Sequence, residues 1–280
     1  LIDAPANGLT HDATRELVRK FRPDLLAVYS GRLSEDNDVT LADSILEEIG
    51  CQGVFVGPYA SIDPGMTISK SKLIHSLITG PFELPLGQMA DGNSISSIPN
   101  LIWKDGETIK ENPRRGAFTT AELDAIPFVS EFLKRNVDLY RYHTPSELFP
   151  YMDMFTGRGC QWGLCTYCLW VHTLIRGRSY TTRSVENVTD EFKFISTDIP
   201  EIQSIMLQDD TLTEPRAQEL SEAFIKSGVH LPWSCYSRGN LSLETMKVMK
   251  RAGCRNLHVG YESADPKVLK RIRKGLTRER

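Results

Sequence analysis

The sequence predicts an α/β protein in two successive parts, an open parallel sheet followed by part of a β/α barrel. In the first part, stretches with apolar residues at helical spacing alternate with short apolar runs. From residue 151 the alternation returns with a longer period and yields four successive β–α units. Strands that alternate with helices favour parallel sheets with helices on their faces.

The first part contains two strands whose carboxyl ends carry small residues. Its predicted elements are helices over 11–21 and 40–49 and strands over 25–30 and 54–56. Ligands of open parallel sheets bind beyond the carboxyl ends of the strands. Ser30 and Gly57 lie at these ends, although both also belong to ordinary turn pairs, Ser-Gly and Gly-Pro.

The middle of the chain is less regular and is predicted to be a linker with one hairpin. Asp-Gly and Asn-Pro turn signals recur there. Apolar residues at 101–103 and 108–109 flank the turn sequence at 104–107, a pattern typical of a hairpin. The predicted segments are therefore 1–90, 91–150 and 151–280.

The third segment repeats strand and helix four times. Its predicted strands are 151–155, 202–207, 231–236 and 257–261, and its predicted helices are 185–195, 214–227, 243–252 and 266–273. Ser184 is expected to cap the first helix, and Gly228 and Gly253 to end the second and third. Such repetition is typical of a barrel or part of one.

Composition narrows the class of protein. With 40% hydrophobic and 25% charged residues, the chain has the profile of a soluble globular protein. Its formal net charge of −3 gives no general attraction to nucleic acid or anionic lipid, and no apolar run approaches the ~20 residues that span a bilayer. The first residues lack the regions of a signal peptide, so we expect a cytoplasmic location. Because the chain begins without Met and stops inside a predicted element, we expect a fragment of a longer protein.

Three clustered cysteines are the strongest chemical signal. Cys160, Cys165 and Cys168 have the spacing C-x4-C-x2-C in a glycine-rich segment after the first barrel strand. Three ligands from one loop leave one position of an iron–sulfur cubane open for a small molecule. Two other centres fit the spacing: zinc with His172 as fourth ligand, or a [2Fe–2S] cluster completed by Cys235 or Cys254. Without such a role, Cys51, Cys235 and Cys254 are expected to be buried thiols rather than a disulfide framework.

Polar residues follow three later strands at the predicted active end of the barrel. Asp209 and Asp210 can hold an ammonium group or cap the next helix. Arg238 can clamp a carboxylate with two parallel hydrogen bonds, unless it is an ordinary surface residue. Glu262 can accept hydrogen bonds from a hydroxyl or an amine. Each signal is weak, but all three occur at the same end of successive strands.

These motifs together resemble those of radical S-adenosylmethionine (SAM) enzymes over residues 151–280. The resemblance rests on the three cysteines with Tyr167, on Gln208-Asp209-Asp210-Thr211, on Arg238, on Ala252-Gly253-Cys254, on Gly260-Tyr261-Glu262-Ser263 and on the segment 269–275. It implies a [4Fe–4S] cluster on Cys160, Cys165 and Cys168, whose open iron chelates the amino and carboxylate groups of SAM. It further implies reductive cleavage of SAM to methionine and a 5′-deoxyadenosyl radical.

The subgroup resembles radical SAM proteins that carry an N-terminal cobalamin-binding domain. Cys168-Leu169-Trp170 and the stretch 177–184 are similar to hopanoid-associated members, and the anaerobic magnesium-protoporphyrin cyclase is a more distant relative of this kind. The implied fold is a partial Rossmann-like cobalamin-binding domain over 1–90, then a partial (β/α) radical SAM barrel over 151–280. Some relatives use SAM mainly to methylate the cobalt.

The resemblance also implies roles for individual residues and a partner. SAM contacts are expected from Tyr167, Asp209, Asp210, Arg238, Glu262 and Ser263, and weaker cobalamin contacts from Ser30 and Gly57. The expected partners are a small-molecule or lipid substrate and an electron donor such as flavodoxin or ferredoxin. The hopanoid-like stretch suggests, by analogy, that the substrate is a lipid or a polycyclic compound.

The sequence departs from the family pattern in three ways. The family usually spaces its cysteines C-x3-C-x2-C, and here one residue is extra. No Asp-x-His-x-x-Gly motif supplies a histidine ligand to cobalt, and four β–α units stand where the family has six. Two rivals follow: a non-catalytic zinc module with His172, and a radical SAM enzyme whose first domain no longer binds cobalamin.

Overall fold

The computed structural model describes residues 1–173 and 178–277, so Gly177 of the hopanoid-like stretch and residues 278–280 of the predicted barrel segment lie outside the described residues. The described chain forms two compact units. One comprises residues 2–116 with the short helix α8 (Leu169–His172), and the other comprises 117–168 and 178–277.

The first unit is built on a five-stranded sheet. Its elements are α1 (His11–Phe21), β1 (Leu25–Tyr29), α2 (Glu35–Ile49), β2 (Gln52–Val56), α3 (Pro58–Ile62), α4 (Pro64–Lys70), β3 (Ser76–Ile78), α5 (Glu83–Ala90), β4 (Leu101–Asp105) and β5 (Thr108–Glu111). The strand order is β1-β2-β3-β4-β5, with β1, β2 and β3 parallel and β4 and β5 antiparallel.

The predicted hairpin exists, but it extends the first sheet instead of lying in a linker. β4 pairs with β3 from Ser76 opposite Trp103 to Ile78 opposite Leu101. The compact unit therefore continues to residue 116, beyond the predicted boundary at residue 90. Local sequence shows that two runs form a hairpin, whereas strand partners far along the chain decide which sheet the hairpin joins.

Both faces of this sheet are covered by apolar residues. Phe55 belongs to the cluster under α2 and α4, while its neighbours Val54 and Val56 belong to the cluster on the opposite face. Because successive strand residues point to opposite faces, the continuous apolar run of β2 indicates a strand buried on both sides.

The second unit carries a parallel sheet with helices after its strands. Its elements are α6 (Thr120–Asp124), α7 (Val129–Asn136), β6 (Tyr151–Met154), β7 (Gly157–Cys160), β8 (Ser179–Thr182), α9 (Val185–Asp198), β9 (Ser204–Leu212), α10 (Glu214–Ser227), β10 (Trp233–Ser237), α11 (Leu243–Arg251), β11 (Cys254–Val259) and α12 (Pro266–Arg271). The strand order β11-β10-β9-β6 is parallel throughout.

Local signals account for most of these boundaries. Ser184 accepts a hydrogen bond from the backbone of Asn187 and caps α9 as predicted. α10 begins with Pro215 in its first turn and ends at Gly228, which adopts φ +72. β9, however, runs to Leu212, so Gln208–Thr211 lies inside the strand and not after it. None of the described helices is long and apolar enough to span a membrane.

Candidate functional site

The cysteine segment begins as a strand that pairs with β8. β7 and β8 are antiparallel, with Gly159 opposite Tyr180 and Cys160 opposite Ser179. Gly159 adopts φ +96, and a Cβ atom there would lie 2.0 Å from the backbone oxygen of Ser179. Only glycine allows this approach, so the hairpin sets the position from which Cys160 leaves the strand.

Two carboxylates from β9 hold the start of this segment. Asp209 accepts hydrogen bonds from the backbone nitrogen and the hydroxyl of Thr156, both at 2.6 Å. Asp210 accepts a bond of 2.8 Å from the backbone nitrogen of Gly159. Thr156 precedes the strand that ends at Cys160 and Gly159 lies within it, so the acidic pair shapes the cysteine segment.

The two acids differ in access to a ligand. Asp209 is 1% exposed, and burial raises its pKa to about 6 against the opposing hydrogen bonds from Thr156. Asp210 is exposed at the molecular surface and keeps one carboxylate oxygen beyond its bond to Gly159. The ammonium contact expected of either acid is thus open to Asp210, while Asp209 is enclosed by protein.

A segment after α12 is bound along the cysteine loop, and we call residues 272–275 the strap. The backbone oxygen of Arg273 accepts a hydrogen bond of 2.7 Å from the indole nitrogen of Trp162 and lies 3.9 Å from Cys165 Sγ. The backbone nitrogen of Thr166 donates to the oxygen of Ile272 at 3.1 Å. These contacts join residues more than 100 positions apart and fix the loop that carries Cys165 and Cys168.

Lys274 of the strap connects three predicted site residues. Its Nζ lies 2.9 Å from Glu262 Oε1 and 3.3 Å from the hydroxyl of Tyr167, and the residue is only 6% exposed. Its backbone oxygen accepts a hydrogen bond from Arg238. The guanidinium of Arg238 in turn stands 4.9 Å from the ring centroid of Trp162. Tyr167, Arg238 and Glu262 therefore converge on one buried lysine.

Cys165 is 7% exposed, and the charged side chains around it affect its ionisation. Burial raises the pKa of its thiol, and the positive charges of Lys274 and Arg238 oppose that rise. Burial, and then the hydrogen bond with Glu262, raise the pKa of Tyr167. The same bond, followed by the Lys274 contact, lowers the pKa of Glu262. The thiolate form of Cys165 is thus supported by two cations.

The remaining predicted residue, Ser263, is used locally. Its hydroxyl accepts a hydrogen bond of 3.1 Å from the backbone nitrogen of Asp265, which caps α12. Sequence reasoning missed the roles of Lys274 and Trp162. Lys274 lies in the segment 269–275 that the family resemblance already included, but nothing in the sequence indicated its burial.

The three cysteines supply thiols for a cluster. None of them forms a disulfide. Within the described residues, no group of three or more His, Cys, Asp or Glu side chains converges as the ligands of one metal ion do. A zinc ion needs its donor atoms at 2.0–2.3 Å from one point. His172 belongs to the first unit and the three cysteines to the second, so the zinc alternative stays a prediction that metal analysis decides. A four-iron cluster takes each thiolate on a different iron, so it does not require the three sulfur atoms to converge on one point.

The predicted cobalamin residues lie together at the carboxyl ends of β1 and β2. Ser30 is fully buried, and its hydroxyl has no hydrogen-bond partner among the described residues. Gly57 adopts φ +104, and a Cβ atom there would lie 3.1 Å from the ring of Tyr29. Both residues therefore lie at the edge where ligands of open parallel sheets bind, and the Ser30 hydroxyl lacks a protein partner there.

The face of the second sheet that points away from its helices is polar. Trp233 and Cys235 of β10 pack into the helix-side core, so Ser234 and Tyr236 point the other way. The other polar contacts of this face involve Glu147, Asp153, Ser204, Gln208 and His258. Glu147 accepts hydrogen bonds from Ser234 at 2.5 Å and Ser204 at 3.2 Å, Gln208 donates to Asp153 at 2.8 Å, and the rings of Tyr236 and His258 are 5.1 Å apart.

Comparison with known proteins shows what the chain is similar to. A relative from Pyrococcus horikoshii, named as an uncharacterized methyltransferase, is 29% identical over 287 residues, covering 99% of this chain and 60% of the relative. The solved structure of the cobalamin-dependent S-adenosylmethionine radical enzyme OxsB matches with a TM-score of 0.77 at 19% identity. That match covers 100% of this chain and 41% of OxsB. The chain thus spans less than two thirds of either protein.

The match to OxsB confirms the predicted fold class, an α/β protein with parallel sheets. The family model of the radical SAM superfamily matches residues 154–280, nearly the range over which the motifs resemble that family. This part of the chain therefore matches the radical SAM superfamily, as the sequence predicted.

Proposed function

We propose that the protein is a radical SAM enzyme that binds a [4Fe–4S] cluster through Cys160, Cys165 and Cys168. The observation that carries the proposal is the buried thiol of Cys165, held by the strap beside Lys274 and Arg238 in the domain that matches the superfamily. When bound, the cluster supplies one electron that cleaves the sulfonium of SAM into methionine and a 5′-deoxyadenosyl radical.

In this proposal, side chains of the protein bind SAM and hold it in position. Arg238 and Asp210 are the side chains we assign to the polar groups of SAM, and Glu262 with Tyr167 to its ribose region. Asp209 positions the cysteine segment through Thr156 rather than touching SAM. Burial of Cys165 under the strap keeps water away from that ligand.

Cobalamin is assigned to the first unit on the basis of Ser30 and Gly57. A hydroxyl buried without a partner loses hydrogen bonds that it makes in water, and a bound ligand restores them. The fold match to a cobalamin-dependent enzyme supports the assignment. The name of the relative from Pyrococcus makes methyl transfer the reaction type we favour.

The polar face of the second sheet indicates the chemical class of the substrate. The exposed Gln208 and the partly exposed Asp153 and His258 on this face favour a ligand with hydrogen-bonding groups over the hydrocarbon or polycyclic substrate suggested by the hopanoid-like stretch. An electron donor of the flavodoxin or ferredoxin kind completes the proposal. We place the enzyme in the reducing cytoplasm, because none of its cysteines is paired.

The decisive experiment compares wild-type protein with Cys165→Ala after anaerobic reconstitution. We expect wild-type protein to contain iron and acid-labile sulfide, to show a cubane signal that changes on addition of SAM, and to release 5′-deoxyadenosine. Cys165→Ala should lose all of these, whereas Cys51→Ala, in the first unit, should retain them. Zinc in place of iron and sulfide would instead establish the non-catalytic zinc module.

A further inference from the structure

We propose that the exposed basic face of α12, with the groove beside Trp162, is the docking surface for a small acidic protein that delivers single electrons. The inference rests on the proposed function, since it locates the donor that reductive cleavage requires. One electron passes from the reduced cofactor of that protein to the cluster, and the donor is oxidised by one electron.

The first support is a local excess of positive charge. Residues 265–275 contain five basic residues and one acidic residue, in a chain with a formal net charge of −3. Lys267, Lys270 and Arg271 are exposed, and no ion pair joins them to another side chain of residues 1–173 or 178–277. The single acid, Asp265, is engaged as the helix cap by the backbone nitrogen of Lys267 at 2.7 Å.

The second support is the short path from this surface to the cysteines. The strap continues directly from α12 and contacts Trp162 and Thr166 of the cysteine loop. Leu164, adjacent to Cys165 in the chain, is 38% exposed on the same surface. Only the strap and the neighbouring residues of the cysteine loop therefore separate a protein bound against α12 from Cys165, one of the proposed cluster ligands.

The third support is a concave apolar centre inside the basic surface. A groove of about 570 Å³ opens beside the cysteine loop. Its lining includes Trp162, Leu164, Leu269, Leu276, Lys270 and Arg273. Apolar contact at the centre with charge around it is the usual composition of a specific interface.

Electron-transfer partners suit such a surface. Their interfaces are small and their complexes short-lived, so association depends on charge steering more than on buried area. A basic surface beside the electron acceptor steers an acidic donor into the productive orientation, and salt weakens the attraction by screening.

The chain offers a matched control for this surface. α11 and α12 both end in an exposed Lys-Arg pair, Lys250-Arg251 and Lys270-Arg271. The first pair precedes β11 and lies at the amino-terminal ends of the strands, away from the cysteine loop. Reversing either pair changes the net charge equally and disturbs a helix carboxyl terminus in the same way, so K250E/R251E controls for K270E/R271E.

The experiment titrates isotopically labelled acidic flavodoxin with the protein at low and high salt and follows NMR line broadening. We expect K270E/R271E to weaken binding about tenfold or more at low salt and to flatten its salt dependence, and K250E/R251E to change it less than twofold. In stopped-flow mixing, oxidation of flavodoxin hydroquinone by the cluster should slow to the same extent. Reduction of the cluster by dithionite should stay unchanged in K270E/R271E.

Several results would overturn the proposal. They are absence of binding by the wild-type protein, equal losses in the two variants, or no loss in K270E/R271E. Displacement of flavodoxin by equimolar single-stranded DNA would mark the surface as a site for nucleic acid instead. Failure of the proposed function would be seen separately, as absence of iron and sulfide from the reconstituted protein. In that case the titration is done with cluster-free protein, and it still decides whether the surface binds the donor.

Discussion

Asp209 provides the sharpest quantitative prediction, because its environment changes its ionisation. The carboxyl group is 1% exposed, and burial raises its pKa from 3.8 to about 6. A raised pKa means that the folded state favours the protonated form. The stability from this group is therefore fully present below the unfolded pKa, near 4, and is lost as pH rises through about 6.

The magnitude follows from the size of the shift. A change of roughly two pKa units corresponds to about 3 kcal/mol in the free energy of unfolding. Asparagine has nearly the same shape as aspartic acid and does not ionise. The difference in unfolding free energy between Asp209→Asn and wild type should therefore rise by about 3 kcal/mol in favour of the variant between pH 4 and pH 7.5.

The assay is urea unfolding of the cluster-free protein, followed by far-UV circular dichroism at several pH values. Taking the difference between variant and wild type removes the contributions of all other titrating groups. Asp190→Asn is the control, because Asp190 is an exposed carboxylate beside Lys193, and its difference should stay within about 0.5 kcal/mol. If the difference in unfolding free energy for Asp209→Asn does not change with pH, or changes equally for the two variants, the conclusion that burial raises the pKa of Asp209 is refuted.

Three further predictions concern the cysteine hairpin, the buried lysine and the first unit. Gly159→Ala should destabilise the protein by at least about 1–3 kcal/mol from backbone strain and lower the iron content, because the new Cβ meets Ser179; unfolding and iron assays check this. Lys274→Met should shift the cluster's reduction potential to a more negative value, since a nearby cation favours the reduced form, whereas Lys274→Arg should preserve it; redox titration followed by electron paramagnetic resonance decides. Ser30→Ala should stabilise the cobalamin-free protein by about 1 kcal/mol yet weaken cobalamin binding, while Ser61→Ala, whose hydroxyl accepts from Gly80 at 2.8 Å, should destabilise it.

Local patterns predicted the helices and strands well, for identifiable reasons. The helix at 214–227 was predicted with its observed bounds, because Pro215 starts it and Gly228 ends it. α2 began at Glu35, five residues before its predicted start, because its first turn is acidic and lacks the apolar spacing that revealed the rest. Acidic residues favour a helix amino terminus without contributing to an apolar stripe.

Contacts between residues that are far apart in the chain could not be predicted from the sequence. Asp209 and Asp210 are adjacent and of one residue type, yet the first is enclosed and the second exposed. Alternation along β9 places them on opposite faces, and Thr156, 53 positions earlier, determines which one is buried. The strap is similar, since Lys274 and Tyr167 are 107 positions apart.

The amino-acid sequence by itself determined the α/β class, the succession of β–α units and the three thiols, because periodicity, caps and cysteine spacing are local properties. Only the tertiary structure decided which sheet receives the β4–β5 hairpin, which carboxylate shapes the cysteine segment and which lysine lies beside Cys165. Those features depend on which distant segments meet, and that is settled by burial and hydrogen bonding of the folded chain as a whole.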